Sequence, residues 1–458
     1  MPSILNGFLK GLDGDIHMTN RILIAIAILS SAELSAAQHP FIYFKPEQRD
    51  EMKTRATMAG TPTANAYAFM SSGAGSYDGS QASFRRMEEL AFRYAVDPSG
   101  NAAYGEAAKT LLNAVVQDPN FPPDSGKLGK AWLYATACVS TATTYDMIHD
   151  LLSPQEKAAV VSELEQWCVN YMAASSPYPR LYTQYDSVNN YPISAHAATF
   201  IAALAIEHDS THPSLQTWIS DNRGRILRGA ADAVDPDGSA LEGYGYSAYG
   251  YQLMILGLIA DMHAGHGDRF DETNLLKMPD WYAYGWMAAN KYPEYSDSHK
   301  TNGVTFGGMH LYAIGRMNNE AALYVWHQVR LSSPASSIYS FYSSPYIPIV
   351  TFYPRHMAIP TDSQADLFPT AKLFRQNLNK GSDENTAYPD IGKGSLAFMH
   401  SSLRGDRVSL YHMIKDEWGG HVHEDDGHFS LHAFSEVFFQ DYGYFNGQTS
   451  GETRYFGA

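Results

Sequence analysis

The sequence predicts an α+β protein in which a helical domain comes first and an antiparallel β-sheet domain follows. From about residue 46 to residue 328 the apolar residues recur at helical spacing, and the breaks between them are rich in Pro, Gly, Asp and Ser. After about Gly392 the spacing changes to the alternation typical of strands. Sequential helices with short links build a solenoid or a toroid. Because no fixed-period repeat is visible, we expect an (α/α) toroid that forms an incomplete barrel.

Nine segments carry the helical spacing. They are residues 85–96, 103–116, 130–152, 154–173, 192–206, 213–234, 246–263, 278–292 and 305–318. The segment that begins at Pro154 has Ser153 as its predicted cap, Pro in the first turn and Glu156 near the positive end of the helix dipole. The sequence therefore predicts the fold class of this domain and also where individual helices begin and end.

Four segments near the end of the chain alternate as strands do. They are residues 395–400, 408–413, 429–434 and 437–439, and a linker from about residue 353 to 393 precedes them. We assign residues 38–385 to the toroid and residues 386–458 to the start of an antiparallel β-sandwich, which we expect to be truncated at Ala458. A sheet of four strands is expected to be stable only if it packs on the helices.

Residues 1–37 predict an upstream extension followed by a secretory signal peptide. A basic start at Met18 leads into an apolar stretch over residues 22–29, which is too short to span a bilayer, and Ser35-Ala36-Ala37 precede a cleavage point before Gln38. A buried core helix is the alternative. We expect a secreted or periplasmic protein with no membrane insertion after signal cleavage.

Charge and cysteine content exclude several classes of function. The chain has 32 Lys and Arg against 48 Asp and Glu, a net charge of −16, which provides no overall footprint for nucleic acid or for an anionic membrane. Cys138 and Cys168 lie in apolar helical patterns, where buried free thiols are commoner than a disulfide. Hydrophobic residues at 45% and charged residues at 17% are typical of an ordered globular protein. The oligomeric state cannot be predicted.

Two polar or aromatic clusters lie at predicted helix starts. Asn189 and Asn190 precede the Ala-rich helix, where an Asn is either a simple helix cap or a substrate contact. Residues 235–251 hold four tyrosines that include Tyr246 and Tyr249, and they form either ordinary aromatic packing or a sugar-binding wall with a phenolic proton donor.

A third cluster lies among the predicted strands. Strand alternation puts His421 and His423 on one face, and Asp441 can lie opposite on a neighbouring strand, with Tyr444 three residues later. Two imidazoles with carboxylates suit a zinc-type site. A solvated polar loop is the alternative, because H-x-H is unspecific.

Taken in order, the three clusters resemble the heparinase II/III-like superfamily. The shared features are the Asn-rich helix start, the segment D-G-S-x-x-E-G-x-x-Y and the segment H-x-H-x-D-x-G-x-F. That superfamily contains alginate and heparin lyases and the catalytic domain of dermatan sulfate epimerase. The stretches 39–44, 141–146 and 295–298 are similar to the epimerase branch. The likeness covers nearly the whole mature chain and is poorly specific for substrate.

The resemblance implies roles for the matched catalytic residues. Asn190 matches the Asn that binds the substrate carboxylate, His421 a histidine beside it, Tyr246 the tyrosine that moves the proton at C5 or at the glycosidic oxygen, and Tyr444 a second tyrosine near the leaving group. Neutralising that carboxylate is what makes the C5 proton removable. Because an unperturbed tyrosine has a pKa of about 10, Tyr246 needs cationic neighbours to act as a base near neutral pH.

The resemblance also implies a metal site and further substrate contacts. His423 and Asp441 match two ligands of a structural divalent metal, which we expect to be zinc. A further ligand is not visible, and Glu452 is a substitute. Glu242, Tyr249 and Asn189 are expected to contact substrate.

One departure from the superfamily pattern affects the base. Most characterised lyases of the group have His after the matched Asn, whereas Tyr191 stands here. Either Tyr191 or Tyr246 then acts as the base, or the substrate stereochemistry differs, or activity is lost.

We expect a polysaccharide lyase that cleaves a uronate-containing acidic polysaccharide, either a glycosaminoglycan or alginate, by β-elimination. A uronate C5-epimerase shares the first chemical step and is the main alternative. An inverting glycoside hydrolase that uses Glu242 with Asp237 or Asp426, and an inactive glycan-binding protein, are further alternatives.

Overall fold

The computed structural model describes eleven stretches of the chain. They are residues 39–73, 75–119, 131–172, 190–240, 243–288, 290–293, 306–332, 343–377, 393–404, 408–414 and 429–439. These stretches belong to one compact unit that begins at His39.

Fourteen α-helices precede the sheet in the described part of the chain. They are α1 (Arg49–Thr57), α2 (Pro62–Phe69), α3 (Gln81–Val96), α4 (Ala102–Val116), α5 (Ala131–Met147), α6 (Pro154–Met172), α7 (Asn190–Ala205), α8 (Leu215–Ala233), α9 (Gly243–His263), α10 (Met278–Gly285), α11 (His310–Met317), α12 (Glu320–Ser332), α13 (Ile347–Phe352) and α14 (Asp362–Ala365). Short 3-10 helices occur at Pro46–Gln48, His149–Leu151, Phe270–Glu272 and Leu275–Lys277.

The helices pack as an inner series with outer partners. α3, α5, α7 and α9 pack side by side in chain order, while α4 packs on α3, and α6 and α8 pack on α7. Aromatic contacts lead from α9 to α10 and α11, and α11 contacts α13, which contacts α1 and α2. Contacts therefore return from the later helices to the first ones. This order confirms the (α/α) toroid.

Local sequence signals explain several helix starts. Ser153 Oγ accepts the Glu156 N–H at 3.3 Å, and the Glu156 carboxylate accepts the Ser153 N–H at 2.8 Å. This reciprocal pair is a capping box that fixes the start of α6, as predicted. At α3, Ser80 plays the same capping role toward the Ser83 N–H.

Five antiparallel strands form one sheet in the order β1-β2-β3-β4-β5. They are β1 (Ala371–Asn377), β2 (Lys393–His400), β3 (Val408–Ile414), β4 (Phe429–Ala433) and β5 (Glu436–Phe439). The inner face buries Phe374, Leu396, Phe398 and Tyr411. His400 Nε2 lies 2.7 Å from the Tyr284 carbonyl of α10. The sheet therefore packs on the helices, and the predicted order of helical domain and antiparallel sheet is confirmed.

Two predicted segments need correction. β1 lies inside the stretch interpreted as a linker and begins before the proposed boundary at residue 386, so the sheet has one strand more than expected. Its signal is weak because Leu373, about half exposed, stands next to the buried Phe374. The helix predicted over residues 278–292 ends at Gly285, and Met287 instead pairs with Lys291 around Asn290, whose φ is 56°.

The core of the helical part includes both cysteines. Cys138 and Cys168 are buried free thiols, as expected, and burial raises the pKa of Cys138 to about 12. Among the described residues, a search for a helix with the length and hydropathy of a membrane span finds none.

Candidate functional site

Two of the predicted site residues come together where α7 and α9 begin. α7 starts at Asn190, which is 2% exposed, and α9 starts at Gly243, three residues before the half-buried Tyr246. Both residues line one small, partly open cavity with a volume of about 10 Å³, close to the space that one water molecule needs. The first turns of two long helices therefore meet at this cavity.

Small residues make this close approach of α7 and α9 feasible. A Cβ added at Gly250 would lie 2.8 Å from Ile193 Cγ2, and one at Gly257 would lie 3.2 Å from Phe200 Cδ1. Larger side chains at these glycines would push the helices apart. The spacing between the backbones at Asn190 and Tyr246 thus depends on glycines further along α9.

The rest of the cavity wall is mostly apolar. Its other lining residues are Ile193, Ala233, Val234, Ala240, Ser247, Gly250, Met254 and Met278. The sequence analysis did not name them as site residues, although helical spacing from Asn190 and Tyr246 leads to Ile193, Gly250 and Met254. An apolar wall lowers the local dielectric constant, so a charge bound here interacts strongly with the few polar groups present.

The loop before α9 is held in a tight turn. Gly238 has a φ of 95° and donates its N–H to the Asp235 carbonyl at 2.8 Å. Asp237 accepts the Ser239 N–H at 3.1 Å, and it also accepts the Arg375 N–H of β1 at 2.5 Å. The turn needs glycine at Gly238, because that backbone conformation is unfavourable for residues with a Cβ. The loop therefore fixes the approach to α9 and joins it to the sheet.

The four tyrosines of this segment divide into two pairs. Tyr244 is buried and stacks on Trp281 at 4.1 Å, and Tyr251 is buried and stacks on His310 at 4.4 Å. Tyr246 and Tyr249 are half-buried and meet edge to face at 5.6 Å. Tyr244 and Tyr251 are therefore core packing, while Tyr246 lines the cavity and the sugar-binding wall stays a prediction.

Two histidines near these helices do not supply positive charge. Burial lowers the pKa of His196, on α7, to about 3, and burial likewise lowers the pKa of His310 to about 3. His196 Nδ1 lies 2.9 Å from the Tyr171 hydroxyl and 3.2 Å from Asn222 Oδ1. Both histidines are therefore neutral packing residues, and any cation near Tyr246 must come from elsewhere.

The other predicted site residues lie outside the described residues. This holds for Asn189, Glu242, His421, His423, Asp441 and Tyr444, and for Glu452. The backbone of Tyr191 lies in the first turn of α7, while its side chain is outside the described part. The proposed zinc ligands, the second tyrosine and the histidine beside the carboxylate thus remain predictions from the sequence.

Comparisons with known proteins found likeness only among solved structures. No protein-family model matches the chain, and no curated protein matches it. Solved structures that are similar to it include a mutant of heparan sulfate lyase HepC from Pedobacter heparinus, with 12% identity and a TM-score of 0.45. A second is a structure titled heparinase III, with 12% identity and a TM-score of 0.46.

The similar structures are longer than this chain. The alignment with the HepC mutant covers 81% of this chain and 50% of that one, and the alignment with heparinase III covers 82% and 53%. The chain therefore spans about half the length of these proteins.

Proposed function

We propose that the protein is a polysaccharide lyase that cleaves a uronate-containing acidic polysaccharide by β-elimination. The observation that supports this most directly is that Asn190 and Tyr246, matched separately to catalytic residues, line one cavity. Substrate and location are part of the proposal, and the protein is expected to act outside the cell or in the periplasm.

The first step of the reaction needs stabilisation of negative charge. Removing the C5 proton places charge on the uronate carboxylate, and donors that meet this charge lower the barrier. The Asn190 side-chain amide is one donor. The first turns of α7 and α9 lie at the positive ends of their helix dipoles. These ends favour an anion at the cavity.

The second step needs proton transfer at the oxygen that leaves C4. The base removes the C5 proton, the C4–O bond breaks, that oxygen takes a proton, and the C5–H electron pair becomes the C4=C5 double bond. In this proposal Tyr246, which lines the cavity, moves one of these protons. Tyr191 or Tyr246 is the base, and His421 and Tyr444 are the further catalytic residues of this proposal.

Ultraviolet absorbance tests the reaction class. The protein is incubated with alginate, heparan sulfate, chondroitin sulfate, dermatan sulfate and hyaluronan, and absorbance of the new C4=C5 bond is followed. Rising absorbance with one polymer supports β-elimination and identifies the substrate class. A flat trace with all polymers contradicts it. Deuterium uptake at C5 from heavy water without absorbance would indicate an epimerase instead.

Asn190→Ala tests the donor role in the same assay. Loss of a donor to a developing oxyanion lowers kcat by about 100- to 1,000-fold. Asn113→Ala is the control, because its side chain bonds to Glu156 on the outer helices, at 3.1 Å. Equal turnover by the two variants would remove Asn190 from the mechanism.

A structural zinc ion held by His423 and Asp441 stays part of the proposal. Chelation is expected to lower the melting temperature more than it lowers the activity of the protein that remains folded. Loss of activity without unfolding would indicate a catalytic metal instead.

A further inference from the structure

A cluster of two histidines and two aspartates lies outside the candidate functional site. His39 precedes α1, Asp146 is at the end of α5, His149 opens the 3-10 helix that follows, and Asp209 lies in the turn between α7 and α8. We refer to these four residues as the His–Asp cluster. It joins three parts of the ring that are far apart in sequence.

Three side chains of the His–Asp cluster direct ligand atoms to one point. His149 Nε2 lies 3.0 Å from Asp209 Oδ2, and His39 Nε2 lies 3.7 Å from the same oxygen. One ligand atom from each of the three residues lies within 4.8 Å of the other two. In the described part of the chain, no other group of three or more His, Cys, Asp or Glu residues meets this distance. Zinc with bonds of about 2.0–2.1 Å has tetrahedral edges of about 3.4 Å, between these two distances.

The fourth residue orients the first histidine. Asp146 is fully buried, and its carboxylate lies 2.7 Å from His39 Nδ1 and accepts the N–H groups of Phe41 and Ile42 at 2.9–3.0 Å. The His39 Nδ1–H therefore donates to Asp146, so Nε2, which faces Asp209, is the ring nitrogen that would bind a metal ion. A carboxylate behind a ligating imidazole is the usual outer support of a zinc site.

Asp209 is positioned as well. The Tyr145 hydroxyl donates to Asp209 Oδ2 at 2.7 Å. The side chains of His149 and Asp209 are 19% and 25% exposed, so an ion and a water molecule reach them from solvent. Hydrogen bonds thus hold the side chains of the cluster on its buried side, and an ion can enter from its solvent-exposed side.

We propose that His39, His149 and Asp209 bind a divalent cation of the zinc type, with water as the fourth ligand. Two neutral imidazoles and one carboxylate are a ligand set that suits zinc. The ion would fasten the segment before α1 to the end of α5 and to the turn after α7. This proposal is independent of the lyase function and of the site predicted at His423 and Asp441.

Binding requires two local movements. The rings of His39 and His149 stack with centroids 3.9 Å apart and planes at 20°, so they must tilt apart for both Nε2 atoms to meet one ion. Lys157 Nζ lies 3.2 Å from His149 Nδ1. A metal at Nε2 leaves a proton on Nδ1, so the Lys157 ammonium must move away. Replacing Lys157 by Met is therefore expected to tighten binding.

Equilibrium dialysis of the metal-stripped full chain against Zn²⁺ tests the proposal. Bound metal is measured by mass spectrometry for the wild type, Asp209→Asn and His149→Ala, with circular dichroism to confirm folding. The wild type is expected to bind one zinc equivalent more than either variant. His356→Ala is the control, since His356 is an exposed histidine that contacts Asn318, and it should match the wild type.

Visible absorbance of bound Co²⁺ is a second measurement. It would not change in the variants if these residues had only a structural role. Tetrahedral Co²⁺ in the wild type should give strong visible absorbance, which Asp209→Asn should lose. Equal zinc stoichiometry in the wild type and both folded variants would overturn the proposal. So would a higher Kd in Lys157→Met, because the ammonium competes with the ion only if Nε2 is the ligand. Because metal binding is measured directly, failure here leaves the lyase proposal untouched.

Discussion

Replacing Glu88 by Gln is predicted to remove a specific part of the pH dependence of stability. Glu88 lies on α3, is completely buried, and accepts the hydroxyls of Tyr43 and Thr143 at 3.0 Å and the Ser344 N–H at 2.7 Å. These partners come from the segment before α1, from α5 and from the segment before α13. The carboxyl group thus connects the first and last parts of the ring.

Burial raises the pKa of Glu88 from 4.5 to about 7, although its three hydrogen bonds oppose the change. The folded protein therefore binds this proton more tightly than the unfolded chain does. The resulting stabilisation is complete below pH 4.5 and is lost as the pH rises through 7. Between pH 8 and pH 5.5 it amounts to about 2 kcal/mol of the free energy of unfolding. The amide introduced by Glu88→Gln cannot titrate, so the variant lacks this contribution.

Urea unfolding of the wild type and Glu88→Gln at several pH values measures the effect. Gln adds a pH-independent cost of about 1–3 kcal/mol, because its one acceptor oxygen cannot accept all the hydrogen bonds that the two carboxyl oxygens of Glu88 accept. The difference between the two proteins should grow by about 2 kcal/mol as the pH falls from 8 to 5.5. Glu156→Gln is the control, since hydrogen bonds from Ser153 lower the pKa of Glu156 to about 2, outside this range.

A constant difference between the wild type and Glu88→Gln across this pH range would refute the reasoning. It would mean that Glu88 is ionised in the folded protein throughout the range. If the difference in unfolding free energy between the wild type and Glu156→Gln changed with pH in the same way, the effect would not come from Glu88.

Two further substitutions have defined expected outcomes. Arg223→Ala should lower the free energy of unfolding by about 1.5–3 kcal/mol, because the buried Asp261 carboxylate loses its guanidinium partner, which lies at 2.6 Å, and keeps His266 at 2.7 Å; an unchanged urea midpoint would contradict this. Gly250→Val should cost about 1–3 kcal/mol by overpacking against Ile193, and should also lower turnover by separating the starts of α7 and α9; unchanged melting temperature and turnover would show that the contact is not tight.

Regular periodicity made most of the ring predictable. The segments at 103–116 and 154–173 match α4 and α6 to within a residue, because their apolar faces and end signals agree. The alternation of β2 to β4 was equally clear. β1 lacks this alternation, since the outward-facing Leu373 is itself apolar. β1 is identified by its pairing with β2 and not by the pattern of its own residues.

The candidate site was predictable only in part. Helix starts and motif resemblance predict Asn190 and Tyr246 as site residues, and both line one cavity in the structure. The split between Tyr246 and Tyr244 could not be predicted, because it depends on Trp281 in another helix. The His–Asp cluster was not predicted at all. Its ligands are separated by more than a hundred residues between His39 and His149, so no local spacing signals them.

The most direct test of the central claim is turnover by Tyr246→Phe, measured by absorbance of the C4=C5 bond on the polymer that the wild type cleaves. The account predicts a loss in kcat of at least about 100-fold with unchanged fold and glycan binding, because the variant lacks only the phenolic hydroxyl that transfers the proton. Tyr94→Phe, which removes a hydroxyl bonded to Asp150 away from the cavity, should keep wild-type turnover. Full turnover by Tyr246→Phe would contradict the assignment of this cavity as the active site.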